Sequence, residues 1–314
     1  MTELLVNISK FSEIIIHDFN RMARIYIGTA GWSYKDWVPS FYPKAQTASF
    51  DWLNYYASYF DTVEVNATYY AYLSPQTAEG WLKKTSDNGE FKFTIKLHQD
   101  FTHKKVFSNE NTKAVIDNLN ILSREEKLGG LFCQFPYSFG FNEAAISHIN
   151  KLKEIFNDYN LFIEVRHVSW NKPEVIKHFN EADLSLCIID QPQISKSISF
   201  NPVVTNDKLY VRLHGRNVKA WYNSIQNFNK EQTYDEQSAR YDYLYSPGEL
   251  IELKNKIVEV RDKVKTLYII FNNHPKGNAV ANAFEMLMCL NEKIKNGIPE
   301  TILKSYPRIE LGKK

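Results

Sequence analysis

Short apolar runs, each of strand length, recur eight times along the chain of 314 residues, and most are followed by a segment of helical period. Runs of this length that are rich in Val, Ile, Leu and Phe are typical of buried strands. They predict strands at residues 24–29, 62–66, 92–98, 130–135, 161–166, 184–190, 208–214 and 266–272. Strand alternating with helix eight times predicts a parallel sheet closed into a (β/α)8 barrel, TIM-barrel-like and built as a single domain.

The segments between the runs carry helix signals. Apolar residues at positions 145, 149, 152 and 156 form one stripe, which predicts a helix over 144–157. The sequence Ser246-Pro247-Gly248-Glu249 has the form of a capping box with proline at the first helical position, and Ser74-Pro75 has a similar start. The alternative fold is a doubly wound open sheet, but the Gly-rich first turn of that fold is missing from the sequence.

Two connections are longer than a compact barrel requires. Residues 191–207 separate strands six and seven, and residues 215–246 follow strand seven. Loops of this length are more often lids or binding loops than idle insertions. The remaining boundary is at the start of the chain, where residues 1–21 are expected to form a poorly ordered extension and residues 22–314 the barrel domain.

The alternation within the strands predicts a polar ring at one end of the barrel. Outward positions must be apolar because they meet helices, whereas the last inward positions open onto the C-terminal mouth, where barrel active sites lie. The predicted inward residues are Glu64, Asn66, Lys96, His98, Gln134, Glu164, Arg166, Asp190, Arg212, His214 and Asn272, with Gly28 leaving room for close approach on strand one. Buried charges need partners or a ligand, so the alternatives are a ligand site and a self-satisfied network such as Glu164 with Arg212.

The residue types in this ring suit an anionic ligand and proton transfer. The planar guanidinium groups of Arg166 and Arg212 fit a phosphate or carboxylate. The candidates for catalysis are Glu164, His214, Asp190, His98 and Lys96, as acid, base or stabiliser of developing charge. The polar candidates for ligand binding are Glu64, Asn66, Arg166, Arg212, Arg216, Asn272 and Asn273.

Aromatic residues are frequent in the segments that follow the strands. A rim of flat rings at a polar mouth suits stacking on a base or a sugar, although the same rings could simply pack the loops onto the barrel. The aromatic candidates for ligand binding are Trp32, Tyr34, Trp170, Trp221 and Tyr222.

Composition limits the classes of partner. A net charge of +2 gives no overall footprint for nucleic acid, and no apolar run approaches the ~18 residues that span a bilayer, so no membrane partner is expected. The three cysteines, at 133, 187 and 289, lie in apolar runs and indicate a reducing, cytoplasmic compartment. No metal ligands and no cofactor are assigned. A divalent metal on His98, Glu164, Asp190 and His214 is kept as an alternative, which the neighbouring Lys and Arg side chains disfavour.

Several blocks of the sequence resemble the YecE-like family, known as domain of unknown function 72. They include GTAGWSYKDW (28–37), FDTVEVNATYY (60–70), FTIKLHQDFTH (93–103), FIEVRHVSW (162–170), LYVRLHGRN (209–217) and FNNHPKGNAVANA (271–283). The resemblance runs in order from about residue 24 to residue 295 and implies a (β/α)8-type barrel, in agreement with the strand count. It implies no reaction, because the activity of the family is unsettled.

Three functions are therefore open. The first is an enzyme that acts on an anionic small molecule, such as a sugar phosphate or a nucleotide, at the barrel mouth. The second is a nucleic-acid-binding or metal-dependent, nuclease-like barrel protein in which the aromatic loops stack a base. The third is a non-catalytic protein that binds a ligand at the mouth. The oligomeric state is left open.

Overall fold

Nine short strands form one parallel sheet in the computed structural model, which describes residues 23–226 and 233–311. The predicted N-terminal extension, residues 1–21, lies outside the described residues. The strands are β1 (Arg24–Ala30), β2 (Thr62–Val65), β3 (Lys92–Lys96), β4 (Leu128–Gln134), β5 (Leu161–Glu164), β6 (Ser185–Leu186), β7 (Ile188–Asp190), β8 (Lys208–Leu213) and β9 (Thr266–Phe271).

The predicted sixth strand closes the sheet into a barrel. The order of strands across the sheet is β6-β5-β4-β3-β2-β1-β9-β8-β7, so β6 and β7 stand at its two ends. Only Cys187 separates β6 from β7 in the chain, and its N–H donates to the carbonyl of Ile163 on β5 at 2.9 Å. Because one continuous run pairs first with β5 and then with β8, the two ends of the sheet meet. The predicted (β/α)8-type barrel is confirmed, with its sixth strand divided in two.

Helices follow the strands and cover the outside of the barrel. They are α1 (Trp52–Ala57), α2 (Pro75–Lys84), α3 (Asn109–Arg124), α4 (Glu143–Ile155), α5 (Pro173–Glu181), α6 (Val218–Gln226), α7 (Tyr234–Ser238), α8 (Pro247–Arg261), α9 (Asn278–Cys289), α10 (Glu300–Ser305) and α11 (Arg308–Leu311). Within the described ranges, no helix has the length and apolar character needed to cross a membrane.

The local helix signals in the sequence are reproduced closely. The capping box is complete, because the Ser246 hydroxyl accepts from the Glu249 N–H and the Glu249 carboxylate accepts from the Ser246 N–H. The helix predicted over 144–157 is α4. The long connection after β8 is not irregular throughout, since it carries α6, α7 and a single turn at Ala239–Tyr241.

Two separate apolar layers flank the sheet. The outer layer lies between strands and helices, whereas the inner one fills the lower barrel with Tyr26, Ala30, Phe132, Phe162, Cys187, Tyr210, Tyr268 and Ile270. Rings dominate the inner layer: the centroids of Phe162 and Tyr210 lie 4.6 Å apart, and Tyr26 stacks on Tyr268 at 5.0 Å. This aromatic layer lies directly beneath the charged side chain of Arg212 in the C-terminal half of the interior.

Gly28 is the position where β1 and β2 come closest. A Cβ atom at Gly28 would lie 2.1 Å from the Thr62 carbonyl oxygen and 2.9 Å from the Tyr56 hydroxyl. The close approach expected at this glycine is therefore made by the neighbouring strand and by α1, and not by a ligand.

Replacement of Gly28 by alanine is expected to destabilise the barrel by about 1–3 kcal/mol, because the added methyl group overlaps backbone that cannot move away. Chemical denaturation at neutral pH measures this change. Gly80→Ala is the matched control: Gly80 lies within α2, and a methyl group added there would meet nothing within 4 Å, so alanine is expected to stabilise the protein by about 0.5–1 kcal/mol. Equal effects at the two positions would contradict the close-approach argument.

Candidate functional site

Arg212 is the centre of the polar cluster inside the barrel. It lies on β8 directly above the aromatic layer, with its guanidinium carbon 4.4 Å from the centroid of Phe132. Nη2 donates to Glu64 on β2 at 2.7 Å, and Nη1 donates to Glu164 on β5 at 2.7 Å. Arg212 is 1% exposed and both carboxylates are fully buried. One guanidinium thus binds two carboxylates from strands on different sides of the barrel.

The two glutamates take further donors. Tyr210 donates its hydroxyl proton to the second oxygen of Glu64 at 2.9 Å, and Arg166 donates Nε–H to the second oxygen of Glu164 at 2.7 Å. Burial opposes ionisation of Glu164, but Arg212 and then Arg166 outweigh it and hold the pKa of this carboxyl well below its usual range. All four charged groups are therefore paired, as charges this deeply buried require.

His214 and Asn272 extend the cluster towards the mouth. The Nδ1 atom of His214 is 2.9 Å from the amide nitrogen of Asn272, which makes it an acceptor of that amide's proton. Its Nε2 atom lies 3.4 Å from Glu164 Oε2 but has no hydrogen bond to any described residue. Burial lowers the pKa of His214 to about 3, although Glu164 opposes this, so the ring is neutral at physiological pH.

Lys96 is the unpaired cation of the cluster. It ends β3, is 9% exposed, and its Nζ lies 4.3 Å from the ring centroid of Tyr69. Within residues 23–226 and 233–311, its ammonium group has no ion-pair or hydrogen-bond partner. Burial and the nearby Arg212 lower the pKa of Lys96 to about 7.

The connection after β8 covers the mouth with aromatic side chains. The Trp221 ring lies 5.6 Å from the guanidinium carbon of Arg166 and 6.2 Å from the His214 ring, and Tyr241 lies 6.0 Å from Trp221. Arg240 stacks on Trp221 at 5.7 Å. The buried indole N–H of Trp221 finds no acceptor among the described residues. A free buried donor beside a free imidazole nitrogen is the arrangement expected where a ligand or water completes the hydrogen bonding.

Several residues near the mouth were not among the predicted site residues. Tyr69 contacts Lys96, and the ring of His103 lies 5.2 Å from Tyr69. His274 stacks on Tyr34 at 4.5 Å and lies 5.8 Å from Tyr241. Burial and the charge of Lys96 lower the pKa of His103 to about 4. These residues lie in or near the sequence blocks that resemble the YecE-like family. Their position in those blocks was the signal by which the sequence could have identified them.

Asp190 was predicted to point inward, and the structure shows that this is wrong. In the register of β7 and β8, Asp190 is opposite Leu213, which faces the outer layer, while Ile189 is opposite the inward Arg212. Asp190 instead forms a bidentate ion pair with Arg216 and accepts from the Tyr245 hydroxyl at 2.6 Å. Asp190 and Arg216 therefore anchor the start of the long connection to the outside of the barrel.

Other predicted residues also lie apart from the cluster. His98 stacks on Tyr72 at 4.0 Å and contacts Asp100 at 3.3 Å. Trp170 is 1% exposed and donates its indole N–H to the Phe139 carbonyl, so its interpretation as a rim residue is wrong. The side chain of Asn273 bonds Asn282 and the Tyr243 carbonyl, and Trp32 packs edge-on against Trp81. These side chains secure loops and helices.

The remaining predicted residues lie at the edge of the cluster. Asn66 follows β2 and has a buried side-chain oxygen without a partner among the described residues. Gln134 ends β4 and accepts from Arg212 at 3.4 Å. Tyr34 donates its hydroxyl proton to the Ala30 carbonyl, and Tyr222 on α6 is 55% exposed.

The acidic and histidine side chains offer no donor set for a metal. Over the described ranges, no group of three or more His, Cys, Asp and Glu side chains is arranged to hold an ion. The four candidate ligands are separated, because Asp190 faces outward and His98 contacts Asp100. Glu164 is occupied by two arginines. The metal alternative of the sequence analysis finds no support in this arrangement.

Fold and site together define a (β/α)8-type barrel with a buried charged cluster at its C-terminal mouth. Residues 26–304 match the family model described as "Protein of unknown function DUF72", and the chain belongs to this family. The resemblance found in the sequence is thereby confirmed.

Named relatives and solved structures agree with the assignment of the chain to this family. UPF0759 protein YunF of Bacillus subtilis is 29% identical over 283 residues, which cover 85% of this chain and 95% of YunF. UPF0759 protein YecE of Escherichia coli K12 is 28% identical over 144 residues, 46% of this chain and 48% of YecE. A DUF72 protein of Thermotoga maritima superimposes with a TM-score of 0.73 at 31% identity, covering 85% of this chain and 99% of the other. One from Enterococcus faecalis gives 0.72 at 26% identity, covering 86% and 96%.

Replacement of Glu164 by glutamine is expected to destabilise the protein by about 3–5 kcal/mol at pH 7, because two buried guanidinium groups lose their shared carboxylate. The folded-state pKa of Glu164 is depressed, so its contribution is complete above the ordinary value of 4.5 and is lost as the pH falls through the folded pKa. Urea denaturation at pH 7 and below pH 4 is expected to show the difference from wild type shrinking at the lower pH. The exposed Glu174→Gln is the control and is expected to change stability far less, because its ion pair with Lys172 lies at the surface. A difference in stability between Glu164→Gln and wild type that does not depend on pH would contradict the assignment of Glu164 as an ionised carboxylate paired with two arginines.

Proposed function

We propose that this protein is an enzyme that binds an anionic small molecule, phosphorylated or carboxylated, at the C-terminal mouth of the barrel. A sugar phosphate or a nucleotide is the kind of ligand that fits the combination of cations and aromatic rings. The function rests on the site and not on the barrel, since the same fold serves many chemistries.

The observation that carries the proposal is an excess of cations at the mouth. Glu64 and Glu164 offset Arg212 and Arg166, with 2.7 Å contacts in each pair. Lys96 and Arg240 then have no carboxylate, because neither forms an ion pair with any residue of the described ranges. An anion between these two side chains and the outer edge of Arg166 would supply the missing charge.

The cations at the mouth also act on neighbouring titratable groups. Burial raises the pKa of Tyr241, but Arg240 and then Arg166 lower it by more, so that the net shift is downward. Burial and Lys96 likewise lower the pKa of His103 to about 4. A buried phenol would ordinarily shift upward. The pKa of Tyr241 shifts in the opposite direction because Arg240 and Arg166 lie beside it.

The contacts divide the roles differently from the sequence analysis. Arg212 uses both terminal nitrogens on glutamates, which makes it the organiser of the cluster and not a clamp for the ligand. Glu164 is a weak base, because its pKa lies well below the usual range. Lys96, whose pKa is lowered to about 7 by burial and by Arg212, is the better acceptor of a proton at physiological pH.

Inorganic phosphate and a panel of phosphorylated and carboxylated metabolites are expected to raise the melting temperature of the wild-type protein. Arg240→Gln is expected to weaken binding by about 10- to 100-fold, the equivalent of one charge-assisted hydrogen bond of about 1.5–3 kcal/mol. Isothermal titration calorimetry at two salt concentrations measures the change. Arg124→Gln is the control, since Arg124 is exposed at the end of α3, at the opposite end of the barrel. No melting shift with any anion would refute the proposal.

A second candidate function is binding of single-stranded nucleic acid, and the exposed tyrosines favour it. Tyr70, Tyr222 and Tyr234 are 70%, 55% and 64% exposed, and Tyr70 is close enough to Arg240 for that charge to oppose the rise in its pKa that burial and Tyr241 cause. Such rings can stack on bases beside a cation. Fluorescence anisotropy with a labelled oligonucleotide tests this candidate, which requires binding that weakens steeply with salt and with Tyr70→Ala.

A further inference from the structure

We propose that Lys96 is a nucleophile that forms a Schiff base with the carbonyl group of an aldehyde or ketone that also carries a phosphate or carboxylate. This inference rests on the proposed function, because the anionic group of the substrate is what the remaining cations of the mouth would bind. It adds the reacting atom and the class of substrate.

The position of Lys96 suits a nucleophile. Lys96 is opposite Phe132 in the register of β3 and β4, so it points into the barrel, at the level where strands end and the mouth begins. Its Nζ faces the ring of Tyr69 at 4.3 Å and, within the described ranges, is held by no acceptor. A buried ammonium without an acceptor is unfavourable, whereas a neutral amine is tolerated there. The amine lone pair is therefore not committed to a structural contact.

The surroundings of Lys96 favour the reactive form. Burial, Arg212 and Arg166 disfavour the charged amine, whereas Glu64 and Glu164 favour it, and the pKa comes to about 7. Lysines that form Schiff bases are activated by burial or by an adjacent cation in this manner. The groups that face Lys96 come from several elements and are Glu64, Tyr69, His103, Glu164, Arg166 and Arg212.

The proposed step balances with the groups present. The neutral amine of Lys96 attacks the carbonyl carbon, and a new C–N bond forms as the C=O bond opens. The carbonyl oxygen leaves as water, taking one proton from the amine and one from the hydroxyl group of Tyr241, which is left as a phenolate that balances the charge of the iminium. The product is an iminium that keeps one N–H, with no change of oxidation state and no further reactant. Its positive charge draws electrons from the adjacent carbon, which activates a C–H or C–C bond there.

Lys127 provides an internal comparison. It is also buried, at 8% exposure, and burial and Lys92 lower its pKa. Its Nζ, however, donates to the Asn88 carbonyl, and it precedes β4 at the closed end of the barrel. Both lysines are buried, so burial alone does not distinguish Lys96 from Lys127. They differ because, within the described ranges, the Lys96 amine lies at the mouth without an acceptor, whereas the Lys127 amine is hydrogen-bonded.

The test is reductive trapping on the full-length protein. Wild type is incubated with glyceraldehyde 3-phosphate, pyruvate or glyoxylate in the presence of sodium cyanoborohydride, and the adduct is located by intact mass and peptide mapping. One adduct at Lys96 is expected, with a rate that rises through pH 7, and inorganic phosphate is expected to slow its formation. Surface lysines require a pH closer to their ordinary pKa of about 10.4.

Two variants make the outcome decisive. Lys96→Arg is expected to lose the adduct and to bind phosphate more weakly than wild type, because Lys96 also contributes charge to the anion site, and circular dichroism checks that the variant is folded. Lys96→Met serves if the arginine variant fails to fold. Lys127→Arg is expected to trap as wild type does. Phosphate binding without an adduct at Lys96 overturns the Schiff base alone. An adduct at Lys96 that forms equally with uncharged aldehydes and ignores phosphate overturns the anionic substrate. Adducts spread over surface lysines overturn this inference.

Discussion

The interaction on which the rest of the site depends is the binding of two buried carboxylates by the single guanidinium of Arg212. It joins strands β2, β5 and β8 across the inside of the barrel through contacts of 2.7 Å. Burying three charges costs several kcal/mol per ion, and apolar replacements of such groups are often as stable. The arrangement is therefore better understood as a device for geometry. It fixes the positions of both carboxylates, holds the pKa of Glu164 well below its usual range, and removes both glutamates from competition for the cations nearer the mouth.

The layers below and above the arginine complete this effect. Beneath it, the aromatic side chains that include Phe132 and Tyr210 fill the barrel, and Tyr210 adds a hydrogen bond to Glu64. Above it, the connection from β6–β7 to β8 fixes the backbone of Arg166, because the Ile198 N–H donates to its carbonyl at 2.9 Å. The connection after β8 adds Trp221 and Tyr241. Because the barrel is filled below and covered above, charge interactions at this level act in a low dielectric and are strong.

Strand alternation predicted which side chains form the centre of the polar cluster. It failed for residues whose segment does not indicate which of its faces points into the barrel. Glu64, Lys96, Glu164, Arg212 and His214 interrupt strands whose opposite face is apolar, so their direction could be inferred from period two. The run 184–190 is apolar on both faces, which left the direction of Asp190 undetermined until the pairing with Leu213 was known. Tyr241 and Arg240 reach the mouth through a connection of about thirty residues, whose path depends on tertiary contacts. The prediction that Trp170 lines the mouth was wrong for a related reason. An aromatic ring that follows a strand can pack outward as easily as it can line the mouth.

The charge distribution divides the cluster into a paired inner half and an outer half that contains polar atoms without partners among the described residues. A self-satisfied network was the alternative to a ligand site, and the inner half of the cluster comes close to that description, since Arg212, Glu64, Glu164 and Arg166 are mutually paired, while the Arg212 Nε–H has no acceptor among the described residues. In the outer half, the Lys96 amine has no ion pair or hydrogen bond and the buried Trp221 indole N–H has no acceptor among the residues that the structure describes, whereas the Nε2 atom of His214 faces Glu164 at 3.4 Å. Proteins rarely leave buried polar atoms unsatisfied without a functional reason. The paired inner half therefore forms the base of the mouth, and burial together with Arg212 lowers the pKa of Lys96 to about 7.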